Sequence, residues 1–205
     1  MVHSNATPSA RRTELLEAAY GYVLEHGLGE LSLRPLAKAT GTSPRVLLYL
    51  FGSKDGLVKA LLARARADEL ALLARLGELP PGAAGENRLP RVAVLLWSWL
   101  ADPAHRALLA LWVEGYARSL VELGGPWAGF AQATVTDWLE VLAAAQPGRV
   151  RETAAGIAER TEVLAVLRGA LLDLLATGDA ERVDRAVRSR FGATAAPGGS
   201  PIADR

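Results

Sequence analysis

The 205-residue sequence has no cysteine, which excludes a disulfide framework, a thiol nucleophile and any cysteine-ligated metal. Histidine is almost as scarce: only His3, His26 and His105 occur, in a tail, at a helix end and on a later helix. No H-E-x-x-H, G-x-S-x-G or G-x-G-x-x-G pattern is present, so the motifs that hold zinc, a serine nucleophile or a dinucleotide are missing. Gly52-Ser53-Lys54 has the composition of a phosphate loop in the wrong order and without an upstream glycine, and reads as a helix start. The expectation is a non-enzyme with no metal and no cofactor. No stretch nears eighteen uncharged apolar residues; the most apolar window, Leu89 to Ala101, is too short to span a bilayer. Residues 1 to 10 lack the basic start and apolar core of a signal peptide, so the expected location is cytoplasmic. Strand-like alternation and internal repeats are also missing.

What is present is apolar and helical. Half of the residues are hydrophobic, enough for a sizeable core at this length. Net charge is +1, unevenly spread: residues 1 to 66 hold nine Lys or Arg against five acids, and the remainder fourteen against seventeen. A basic head on a mildly acidic body suits a head that meets phosphate. Apolar spacings of three and four, with glycine and proline punctuation, predict helices over 9–26, 53–76, 88–101, 103–123, 126–145, 150–177 and 179–191, besides two short ones in the head. Arg11 and Arg12, at the start of the first, suit phosphate contacts or simple solvation equally well. The tail from Ala193 reads as disordered.

The head is organised around Leu31 to Leu57, LSLRPLAKATGTSPRVLLYLFGSKDGL. Leu33, Leu36 and Ala37 give one apolar face to a first short helix, with Ser32 placed to cap it and Pro35 tolerated in its first turn. Gly41 breaks it. Ser43 and Pro44 then supply an N-cap and a residue pre-set for the first helical turn, and the second helix turns Leu47, Leu50 and Phe51 inward before Gly52 closes it. Two short helices joined by a glycine-bearing turn form a helix-turn-helix, whose second helix can enter a DNA major groove.

The run LSLRPLA, then GTS, a Leu- and Tyr-rich helix, and FGSKDGL resembles the N-terminal DNA-binding domain of the tetracycline-repressor (TetR) family over the first quarter to third of the chain. The resemblance implies an all-α protein divided as follows: a disordered start at 1–8, a helix-turn-helix domain at 9–56, a helical effector-binding and dimerisation domain at 57–192, and a disordered tail at 193–205. It also implies a homodimeric regulator, in the repressor mode, that leaves double-stranded operator DNA when a small lipophilic or aromatic effector enters the body. Arg34 would reach a base edge, Ser43 would cap the recognition helix, Arg45 and Val46 would lie on its exposed first turn, Tyr49 would meet the backbone and Lys54 a phosphate. The family most often has tyrosine where this chain has Leu48, and histidine or tyrosine where it has Leu50.

All five tryptophans lie beyond residue 90. Trp127, Phe130, Thr134 and Trp138 fall at helical spacing, as do His105, Leu109, Trp112 and Tyr116. Two aromatic stripes with a few polar groups suit a small-molecule pocket, with Thr134 or His105 orienting the ligand; taken singly each residue better suits a helical core, and only the set points to a pocket. Glu114, Arg118 and Glu122 repeat every four residues and read as a solvated ion-pair ridge. On the last two helices, Ile157, Leu164, Leu167, Leu171, Leu174, Val183 and Val187 make a stripe wider than one neighbour needs. It resembles the family's four-helix dimer interface, with packing inside one subunit as the alternative. A helical protein-interaction module without a small-molecule site is the competing class.

Overall fold

A computed structural model describes residues 8–29, 31–77 and 86–192. The expected disordered ends, 1–8 and 193–205, fall outside these residues apart from Pro8. Among the described residues there is no strand. The helices are α1 (Pro8–His26), α2 (Leu33–Ala39), α3 (Pro44–Phe51), α4 (Lys54–Gly77), α5 (Leu89–Leu100), α6 (Arg106–Val121), α7 (Phe130–Ala144), α8 (Gly148–Arg151), α9 (Ala154–Thr177) and α10 (Ala180–Phe191), with 3₁₀ turns at Pro103–His105 and Gly125–Trp127.

Two boundaries and one cap differ from the sequence expectation. Gly129, at φ 76°, separates Trp127 from α7, so Trp127 sits on its own 3₁₀ turn rather than on the helix of Phe130. The helix expected over 150–177 is two: Thr153 stops the first, and its Oγ1 accepts the Gly156 N–H at 3.1 Å to start α9. Ser32 occupies the N-cap of α2, but its side chain makes no capping bond.

The chain forms two compact units. The first comprises the described residues up to Leu72 with 107–136, the second Leu73–Arg106 with the residues from Asp137. The cut does not follow the expected division at residue 56, because α6 and the start of α7 share the first unit with the helix-turn-helix. There Leu15, Ala19, Val23, Leu36, Leu47, Leu57 and Leu61 make the buried centre. Tyr20 donates to Asp68 at 2.8 Å, Arg64 bonds Glu17 and Asp68, and its guanidinium lies over the Tyr20 ring, pinning α1 to α4. Burial, then the bond to Asp68, pushes the Tyr20 phenol above its ordinary range and keeps it a donor.

In the second unit α5, α9 and α10 pack against one another. Trp97, fully buried on α5, donates Nε1–H to Asp184 of α10 at 3.1 Å. Gln146 Nε2 donates to the Gly156 carbonyl and to Glu159.

Candidate DNA interface and effector layer

The turn between α2 and α3 needs Gly41 at φ 62°, a left-handed conformation that costs glycine nothing. Ser43 Oγ then accepts the Val46 N–H at 3.3 Å, and Pro44 enters at the first turn, so α3 starts where the sequence placed it. Leu47 and Phe51 are buried and Leu50 is half-buried, which leaves Arg45, Val46, Leu48 and Tyr49 on the outer side. Tyr49 is 80 % exposed, a large ring kept in water with no partner among the described residues. Arg34, Lys38, Arg45 and Lys54 are all exposed and form no ion pair among the described residues. No acidic residue occurs from Leu31 to Lys54. That acid-free run is the signal that adds Lys38 to the cations expected from sequence.

Other arginines of the head are committed. Arg11 pairs with Glu14 at 2.7 Å. Arg12 Nε donates to the Leu50 carbonyl at 3.3 Å and its guanidinium lies 5.0 Å from the Phe51 ring centre, tying α1 to the end of the recognition helix. Gly56 fixes the next turn, because a β-carbon there would lie 2.0 Å from the Phe51 carbonyl oxygen. Only glycine lets α3 run so tightly into α4.

Five of the seven expected effector residues belong to the first unit. Trp112, Trp127, Phe130 and Thr134 are buried and Tyr116 half-buried; the Trp112 and Tyr116 rings are 5.3 Å apart and tilted by 33°. The other two, His105 and buried Trp138, belong to the second unit. The His105 ring stacks on Trp99 at 4.0 Å and its Nδ1 lies 3.0 Å from the Trp99 carbonyl oxygen. The first unit also has two open clefts. One, of about 410 Å³, is bordered by Lys54, Val58, Arg118, Pro126 and Trp127, and a second, of about 340 Å³, by Lys59, Leu62, Phe130 and Ala133.

The Glu114, Arg118 and Glu122 series is not merely solvated. Glu114 Oε2 accepts the backbone N–H of Leu28, in the loop before α2, at 2.8 Å. Arg118 pairs with both acids and sets its guanidinium 5.1 Å from the Trp127 ring centre. Thus α6 carries Trp112 on one side and a bond to the DNA-binding domain on another, two residues apart.

The expected dimer stripe is corrected. Leu164, Leu167, Leu171, Leu174, Val183 and Val187 are buried inside one subunit, because α9 spends that width on α5 and α10; of the seven only Ile157, at 44 %, is exposed. No cluster of three or more His, Asp or Glu that could hold a metal occurs among the described residues. No helix among them is long and apolar enough to cross a membrane.

Residues 15–61 match the model of the bacterial regulatory proteins of the tetR family, the region of this acid-free, singly capped helix pair. Residues 15–61 are a tetR-family DNA-binding domain. The chain is 26 % identical over 169 residues to the HTH-type transcriptional regulator BetI of Escherichia coli O139:H28, covering 68 % of this chain and 86 % of BetI. Its fold matches a transcriptional regulator from Rhodococcus sp. Rha1 with a TM-score of 0.69 at 23 % identity, over 89 % of this chain and 94 % of the other. It also matches SmeT, the repressor of the Stenotrophomonas maltophilia multidrug efflux pump SmeDEF, with a TM-score of 0.61 at 19 % identity, over 93 % and 90 % of the two chains. The chain is a helix-turn-helix DNA-binding transcriptional regulator rather than an enzyme.

Proposed function

We propose that this regulator is a cytoplasmic repressor whose operator is released when a lipophilic or aromatic effector enters the layer around Trp112, Tyr116, Phe130 and Thr134. SmeT, of the same fold, is a repressor of a drug efflux pump, which is the precedent for that mode. The observation that carries the reading is on α6. Trp112 belongs to the aromatic layer while Glu114 holds the Leu28 N–H of the head, so an effector that shifts or turns this helix acts on the DNA-binding domain through one bond.

On DNA, Arg45 projects from the first turn of α3, where its fork suits the O6 and N7 of guanine, with Arg34 as a second base reader. Exposed Val46 and Leu48 suit thymine methyl groups. Lys54 starts α4 and suits phosphate, as does Tyr49 through its ring and hydroxyl. The homodimer seam lies along the outer side of α9, where Ala158, Glu162, Ala165, Gly169, Leu172 and Ala176 are exposed at alternating steps of four and three, the spacing that lets two helices approach closely. Leu172 is 52 % exposed.

The test uses an operator fragment selected from random DNA and compounds that raise the melting temperature of the protein. Glu114→Ala is expected to bind the operator and the compounds but to lose compound-induced release. Release that survives in Glu114→Ala sinks the coupling.

A further inference from the structure

We propose that this regulator reads its operator through the C5 methyl groups of pyrimidines, so that 5-methylcytosine stands in for thymine beneath Val46 and Leu48. This rests on the docking of α3 in the major groove given above and specifies which base features the helix senses there.

Helix α3 reads PRVLLYLF. It has no Asn or Gln to bond the N6 and N7 of adenine, and no Asp or Glu to accept the N4 amino group of cytosine. Arg45 is its one side chain with a fork for guanine. The cap does not widen this set, because Ser43 Oγ is already accepting the Val46 N–H at 3.3 Å. Beyond the guanine that Arg45 takes, such a helix can sort base pairs only by the apolar group that the major groove offers, the thymine methyl.

The placement of the apolar residues fits that task. At about 100° per residue, Arg45 and Tyr49 lie roughly 40° apart in the middle of the outer side, with Val46 on one flank and Leu48 on the other. Leu47 and Phe51 are buried on the opposite side. Val46 and Leu48 are 37 % and 40 % exposed, so each offers a surface to the groove while the rest of the protein covers part of it. Part-covered side chains have less rotamer freedom to lose on docking. The exposed cations Arg34, Lys38 and Lys54 draw in any duplex, and the methyl contacts then distinguish one sequence from another.

5-Methylcytosine carries the same methyl group on the same ring carbon as thymine. With no acid on α3 to read the cytosine amino group and no amide to read adenine, neither Val46 nor Leu48 senses the rest of the exchanged pair. Cytosine methylation is therefore an input to operator affinity, and it raises that affinity wherever a C·G pair stands in place of T·A.

Duplexes selected from random DNA with the full chain supply the test. They are resynthesised with deoxyuridine in place of one thymine at a time, which removes the methyl group and leaves the pairing intact. Replacement beneath Val46 or Leu48 is expected to weaken binding about fourfold, the worth of one buried methyl group. At those positions the ratio of thymine to deoxyuridine affinity is expected to fall towards one in Val46→Ala or in Leu48→Ala. Each ratio is taken within one protein, so a change in folding cancels from it. A 5-methylcytosine there is expected to bind about fourfold tighter than cytosine. Equal binding of thymine and deoxyuridine duplexes at every position overturns the inference. So does a deoxyuridine penalty unchanged in both variants, or a 5-methylcytosine duplex no better than its cytosine counterpart. In those cases the docking of α3 still stands if Arg45→Ala lowers the preference for operator over random DNA. If Arg45→Ala, Val46→Ala and Leu48→Ala all leave that preference unchanged, α3 is not the reading helix and both readings fall.

Discussion

Helices α5 and α6 follow one another in the chain and each buries a tryptophan, yet the two indoles have opposite surroundings. Trp97 is surrounded by the α5, α9 and α10 bundle and spends its N–H on Asp184, which Arg188 also bonds at 2.8 and 2.9 Å. Trp112 has a ring neighbour in Tyr116 but no acceptor for its N–H among the described residues. A buried polar group whose partner is built in holds a fold together; one left without a partner weakens the apo state and strengthens whatever complex supplies it. The same residue type has its N–H satisfied in one compact unit and unsatisfied in the other.

The heaviest blow to this contrast falls on the bundle. Leu167 of α9 is buried in the second unit, and Leu167→Ala is expected to cost about 2 to 5 kcal/mol, read as a lowered midpoint in urea unfolding followed by circular dichroism. A loss within 0.5 kcal/mol would return Leu167 to a solvent-facing or intersubunit position.

A finer cut compares the tryptophans themselves. Trp97→Phe leaves Asp184 short of a donor and is expected to lose about 1 to 3 kcal/mol beyond its cavity cost, whereas Trp112→Phe in the ligand-free protein loses only the cavity share. Equal losses for the two variants would erase the distinction between them.

The smallest effect is in acid. Arg188, and next the Trp97 N–H, holds the Asp184 carboxyl below its ordinary value of 3.8. A carboxyl depressed in the folded state adds stability above its unfolded pKa and loses it as pH falls through the folded value. The second unit is therefore expected to lose stability below about pH 4, and Asp184→Asn to show a flatter acid limb over that window. An identical acid limb in the variant would remove Asp184 from the account.

The helix-turn-helix was legible in the sequence because its signals are local. Ser43 and Pro44 start α3, Gly41 and Gly52 bound the turns, and each acts within four residues of itself. The effector layer was half legible. Spacing put Trp112 with Tyr116 and Phe130 with Thr134, but no spacing shows that Thr134 would withhold its hydroxyl from α7, or that His105 would turn to Trp99. Glu114 shows the limit most plainly: periodicity gave its place on the helix, while its partner is a backbone N–H 86 residues earlier in the chain. The stripe on α9 failed for the same reason. Its width was read correctly, but its partners were α5 and α10 rather than a second copy.

The tight passage from α3 to α4 at Gly56 has a consequence in heredity. A side chain at that position collides with the Phe51 carbonyl, at the end of the reading helix and far from α9 in sequence. If the seam lies on α9 as proposed, a chain altered there keeps its pairing surface while its reading helix points wrongly. Each such chain then occupies a sound partner in a mixed dimer with one competent head, so in a cell carrying both alleles the defective copy masks the normal one. Substitutions that unfold the α9 bundle do the reverse: they remove themselves from pairing and are masked by the normal allele.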